Sequence, residues 1–161
     1  MLRDKNLVPL SRQHQHALAL CVRLDRALES GSVDLDAWQS EIGAMFEQEI
    51  GSHFSAEEAV LFPAASRHTQ LSGIVEELRA EHQALRELFH RAASRELGKA
   101  DLSVLGQTLT SHIRKEERVL FEGMQKAMSV EELARLGSEL DGLLKATTCI
   151  LPSEATRLRP R

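Results

Sequence analysis

Tyrosine is absent, tryptophan occurs once, and aromatic residues fill only 4% of the 161 positions. An interior with so few rings must be aliphatic, and a tyrosyl radical is excluded as a source of redox chemistry. Glycine (9) and proline (4) are scarce, which predicts a regular backbone with few interruptions. The two cysteines, Cys21 and Cys149, stand apart with no metal-type spacing. They read as free thiols rather than as a disulfide. No surplus of positive charge exists: the formal net charge is -4, so a nucleic-acid partner is not expected. The longest apolar run, AVLFPAA, falls far short of the ~20 residues that a membrane-spanning helix needs. The first residues contain no apolar segment of the signal-peptide kind, and the expectation is a cytoplasmic protein. Neither a Gly-rich phosphate loop nor a Ser–His–Asp arrangement is evident.

What is present is ordinary in amount and unusual in placement. Hydrophobic residues are 42% and charged residues 27%, as in a soluble globular domain, and the length suits one domain with a real core. Apolar residues recur in steps of three and four along four stretches. The first carries Leu10, His14, Ala17, Cys21, Leu24 and Leu28. The second carries Ile42, Phe46, Ile50, His53, Glu57 and Val60. The third carries Leu71, Val75, Leu78, His82, Leu85, Phe89 and Ala92. The fourth carries Leu102, Leu105, Leu109, His112, Glu116 and Val119. Ser11, Asp34, Thr69 or Ser72, and Asp101 are the expected helix starts. Gly31, Pro63 and Gly98 are the expected stops, with the fourth helix ending near Ala127. Ser129 and Glu132 form a capping box for a short fifth helix ending near Lys145. The fold expected is all-α: an antiparallel up-down-up-down four-helix bundle over residues 1–147. Residues 148–161 are a tail in which Ile150 and Leu151 can pack back.

Each stripe should be apolar, yet each carries a histidine, and two also carry a glutamate. Counted from the turns at ~1.5 Å per residue, His14, His53, Glu57, His82, His112 and Glu116 fall within about 5–8 Å of one level. Burying one unpaired charge costs several kcal/mol, so six at one level need a common explanation. Residues 53–62 read HFSAEEAVLF and residues 112–121 read HIRKEERVLF. His and Glu four positions apart share one helix face and can ligate one metal, or two if the carboxylate bridges. Imidazole with carboxylate suits iron, manganese or zinc. The repeat then supplies the two halves of one cage: His14, His53 and Glu57, then His82, His112 and Glu116. Two blander readings remain open on the residues alone. One is a metal-free His–Glu network in which every proton finds an acceptor. The other is a single structural zinc, which would leave ligands over because zinc prefers four.

The stretches LSRQHQHAL, HFSAEEAVLFP, AEHQAL and HIRKEERVLFE resemble the hemerythrin-like superfamily, the HHE cation-binding domains. The resemblance reaches from Leu10 to Phe121. It implies a non-haem di-iron centre, two iron ions bridged by the two glutamates and an oxo or hydroxo group, with zinc or manganese as substitutes. It also implies a small diatomic ligand or peroxide as partner. Oxygen-carrying hemerythrins look to have a second histidine one turn along the third helix, where this chain has Leu78 and Arg86. Reversible oxygen carriage is thereby weakened, and redox chemistry, sensing or iron handling gains. The reading ranked first is a metal-binding protein that binds or senses O2, NO or peroxide. The alternatives are a di-iron peroxidase or oxidase-like enzyme and an iron-handling protein without oxygen chemistry.

Other polar residues are set aside. His16 lies about 200° around the helix from His14 and is expected at the surface, or as a spare ligand. His90 flanks the third stripe, and His68 lies in a connection. Glu58, Glu117 and Glu81 point about 100° away from the ligand positions and are expected to orient ligands or face solvent. Cys21 is expected as a small core residue.

Overall fold

The computed structural model describes residues 1–148, which are helical throughout apart from short connections, with no strand among them. Five helices run in order: α1 (Val8–Ser30), α2 (residues 35–66), α3 (Ser72–Ala93), α4 (residues 99–127) and α5 (Val130–Thr148). None of the described helices is long and apolar enough to cross a membrane. Helix α1 packs along α4, α2 along α3, α3 along α4, and α5 lies on α2. The expectations placed on Cys149, Ile150 and Leu151, and on the tail generally, lie outside the described residues.

The helix ends show which local signals prevail. Asp34 caps α2 as expected, its carboxylate accepting the Ala37 N–H at 3.0 Å. Ser129 and Glu132 form the reciprocal box at α5, with bonds of 2.8 and 3.2 Å. Ser11 does not open α1: Leu7 holds that place and Pro9 sits in the first turn, where its missing N–H costs nothing. Asp101 sits inside α4, not before it, and its carboxylate accepts the Gly98 N–H at 3.0 Å. Helix α1 stops at Gly31, whose φ of 73° is open to glycine without strain. Helix α3 ends at Ala93 rather than near Gly98, which frees Leu97 to be buried with its N–H on Gln39 Oε1 at 2.8 Å.

Two corrections concern the repeated stretches. Pro63 does not interrupt α2, which runs on to Ser66. Val60 is only partly buried, and Val119 is 49% exposed. One physical cause covers both valines. Each repeat contains a π turn that begins at its glutamate, over Glu57–Leu61 and Glu116–Leu120. There the Phe62 N–H reaches the Glu57 carbonyl and the Phe121 N–H reaches the Glu116 carbonyl. The extra residue in the turn rotates the remainder of the helix, which brings Phe62 and Phe121 onto the buried face beside Leu61 and Leu120. For Pro63, the ladder that its missing N–H would break is already displaced just ahead of it.

The apolar interior falls into two bodies. One holds Leu10, Phe62, Leu78, Phe121 and Met124, with Leu133, Leu136 and Leu140 of α5. The other holds Leu20, Leu24, Ile42, Phe54, Leu85, Phe89, Leu105 and Leu109. Helix α5 begins where its capping box predicts and runs on past Lys145 to Thr148. It seats closely because Gly137 has no side chain: a Cβ there would lie 2.6 Å from Asn6 Cβ. Helices α1 to α5 thus enclose two apolar bodies, and the buried polar side chains stand among them.

Candidate metal centre

His14 comes from α1, His53 and Glu57 from α2, His82 from α3, and His112 and Glu116 from α4; all six are buried. Their polar atoms converge. Glu57 Oε1 lies 3.0 Å from His53 Nε2 and 3.8 Å from His14 Nε2, while its Oε2 lies 3.3 Å from His82 Nε2. Glu116 Oε2 lies 3.0 Å from His14 Nε2 and its Oε1 lies 3.3 Å from His112 Nε2. Two four-residue groups result, each compact enough to hold a cation: His14, His53, Glu57 and Glu116, and Glu57, His82, His112 and Glu116. The two carboxylates belong to both. The histidines divide by sequence half, but the glutamates are shared, each giving one oxygen to either side.

Whether these residues fit metal ions is decided by what their atoms lack. The four oxygens of Glu57 and Glu116 are all buried, and nothing but the inward imidazole nitrogens stands near enough to satisfy them. Native proteins rarely leave such atoms unsatisfied, and a buried anion without a partner costs several kcal/mol. The imidazoles point the same way. His14 Nε2 and His53 Nε2 face each other at 3.0 Å, and His82 Nε2 and His112 Nε2 at 3.1 Å. Facing lone pairs repel unless a proton or a cation stands between them. The donor set of imidazole nitrogen and carboxylate oxygen therefore fits borderline metal ions.

The outer nitrogen of every ring is engaged. His14 Nδ1 meets Glu117 Oε1 at 2.7 Å, His82 Nδ1 meets Glu58 Oε1 at 2.8 Å, and His112 Nδ1 meets Glu81 Oε2 at 2.8 Å. His53 Nδ1 meets the Gln13 amide oxygen at 2.7 Å. Carboxylates have no proton to give, so each Nδ1 carries the hydrogen and each Nε2 is left to face inward. The carboxylates are themselves fixed by cations: Glu117 by Arg3 at 2.6 Å, Glu58 by Arg86, and Glu81 by Lys115. Aromatic rings close the walls. Phe54 stacks on His82 with centroids 3.9 Å apart. Phe62 and Phe121, the last letters of the two repeats, lie against His82 and His14.

Without metal the centre holds protons. Burial pushes the His112 imidazole down, but Glu116 beside it wins, and its pKa rises to about 9. His14 is raised well above its ordinary value in the same way, burial being outweighed by Glu116, Glu117 and Glu57. Burial and the neighbouring Glu57 push Glu116 up, yet His112 and His14 bring it down to about 2. Glu57 also lies well below the usual carboxylate range, with His53 overcoming burial. His14 and His112 thus hold protons where a cation can stand.

All six side chains singled out in the sequence are brought together. His16 is exposed and pairs with Glu49 at 2.9 Å, His90 is exposed, and His68 lies in the connection between α2 and α3, 3.6 Å from Glu132. Glu58, Glu81 and Glu117 are orienting residues. Gln13, Arg3 and the three phenylalanines were not legible as parts of the centre. A signal for Gln13 and Glu81 exists in retrospect: each directly precedes the histidine of its half.

Helices that carry inward imidazoles and buried carboxylates define an all-helical, cation-binding class of protein. A match to the hemerythrin HHE cation-binding domain model spans residues 8–146. The chain belongs to that family. No curated protein and no solved structure matches the chain significantly.

Proposed function

We propose that the protein holds two iron ions between Glu57 and Glu116 and binds or senses a small ligand, O2, NO or peroxide, beside them. In this reading α1 to α4 run up-down-up-down, His14 and His53 serve one ion, His82 and His112 the other, and both glutamates bridge. The observation that carries it is the set of four buried carboxylate oxygens with no partner but the four imidazole nitrogens that face them. A metal-free network would have to satisfy those oxygens internally, and a single zinc would leave one pair of imidazoles face to face. Iron bound there supplies a redox couple and coordination positions that the protein leaves free.

The chain's own residues do the rest. Glu58, Glu81, Glu117 and Gln13 fix the tautomers and aim the rings. Phe54, Phe62 and Phe121 keep water away from the imidazoles. A small cavity opens between Ala17, Ile50, Phe54, Leu109 and Ile113, with His14, His53 and His112 on its wall and Gln13 and Glu49 at its polar side. Its lining suits a compact, weakly polar ligand. Where the family's oxygen carriers look to have another histidine, Leu78 is buried in the apolar core and Arg86 holds Glu58. That supports sensing or redox use over reversible carriage.

Metal analysis of protein produced with iron tests the reading. Two irons per chain, with near-ultraviolet absorption that azide shifts, are expected; about one zinc per chain and no such band contradict it. Steady H2O2 consumption lost in His112→Ala would move the reading to an enzyme.

A further inference from the structure

The outer partners of the four histidines can be compared across the repeat. Glu117 on His14 corresponds to Glu58 on His82, since each comes directly after the bridging glutamate of its own repeat. Gln13 on His53 corresponds to Glu81 on His112, since each precedes the histidine of α1 or α3. Three of these four partners are carboxylates held by Arg3, Arg86 and Lys115. The fourth is a neutral amide. A carboxylate on the far nitrogen raises the basicity of a ligating imidazole, and its loss typically costs 10–100-fold in metal affinity. A carboxamide polarises the ring less. Burial runs in the same direction: His82 and His112 are fully enclosed, whereas His14 and His53 retain 3% and 4% exposure.

We infer that Gln13 makes the two cation positions unequal: the His82/His112 position fills first and holds its ion tightly, and the His14/His53 position is the looser, exchangeable one. The inference rests on the two-metal reading above. Gln13 acts as a positioning residue through His53. Its amide oxygen accepts the Nδ1–H and fixes the ring, but it brings no negative charge. The consequence is ordered loading, with exchange confined to the His14/His53 position.

Two positive ions repel, so even equal positions would fill in two steps; variants locate the steps instead. Metal-free protein is titrated anaerobically with Fe(II) and separately with Co(II), reading heat and, for cobalt, visible absorption. The inference predicts that Glu81→Gln weakens the first step about tenfold or more, while Glu117→Gln leaves the first step in place and weakens the second. Gln13→Glu tightens the second step by about tenfold and brings the steps together. All three changes are isosteric, and an unchanged far-ultraviolet spectrum of the metal-free form shows that the fold survives. Equal effects of Glu81→Gln and Glu117→Gln on the first step, or a second step unmoved by Gln13→Glu, overturn the inference while leaving two-metal binding intact. A wild-type chain that takes up fewer than two ions defeats the two-metal reading itself, and this inference with it.

Discussion

Glu57 and Glu116 each give one oxygen to each half of the centre, so neither can be lost without damage to both halves. Glu57→Ala and Glu116→Ala are therefore expected to lose both ions together, measured as metal per chain after desalting. Glu58→Ala removes only the acceptor of the His82 Nδ1–H; it should still reach two ions at saturation, with affinity lowered about 10–100-fold. Equal loss in all three variants would mean that the wrong glutamates had been assigned to bridging. The protons of the metal-free centre give a second prediction at this scale. His112 is raised from 6.5 to about 9, so its contribution to stability is complete below pH 6.5 and is lost as pH rises through 9. Glu116 is lowered from 4.5 to about 2, so its contribution is present above pH 4.5 and is lost as pH falls towards 2. Metal-free protein should accordingly melt highest between about pH 4.5 and 6.5 and lose stability towards pH 9. Bound metal takes the place of the proton and removes that alkaline decline. Melting curves across pH, with and without chelator, check this; a metal-free protein equally stable at pH 6.5 and 9 contradicts it.

Among the elements, the π turns at Glu57–Leu61 and Glu116–Leu120 decide which face of α2 and α4 is buried beyond the glutamates. Leu120 is fully buried and Val119 half-exposed. Leu120→Ala should cost about 2–5 kcal/mol in urea unfolding and Val119→Ala within about 0.5 kcal/mol. These turns mark the limit of what the sequence discloses. The stripes of α1 and α3 are legible to their ends because period 3.6 holds throughout them. The six inward polar residues are legible because buried charge is rare and its repetition rarer still. Val60 and Val119 are misplaced because a one-residue change of phase leaves no trace in composition. Ser11, Asp101 and Pro63 mislead for a related reason: each is a good local signal that neighbouring residues outweigh. Gln13 is marked only by its place before His14, because its part depends on the His53 ring donated by another helix.

At the scale of the whole molecule, two apolar bodies enclose a polar layer that draws on four helices, and α5 covers one of them. A centre tied to four separate helices couples metal to folding. An ion present at a hundred times its Kd stabilises the native state by about 2.7 kcal/mol. Chelation should therefore lower the melting temperature and make it depend on metal concentration, as calorimetry would show. Metal content bears most directly on the account, measured by mass spectrometry on protein produced with iron and purified without metal-affinity steps. The account predicts two metal ions per chain in the wild type and almost none in Glu57→Ala. A wild-type chain that is fully folded, holds no metal and takes none up when iron is offered would contradict it.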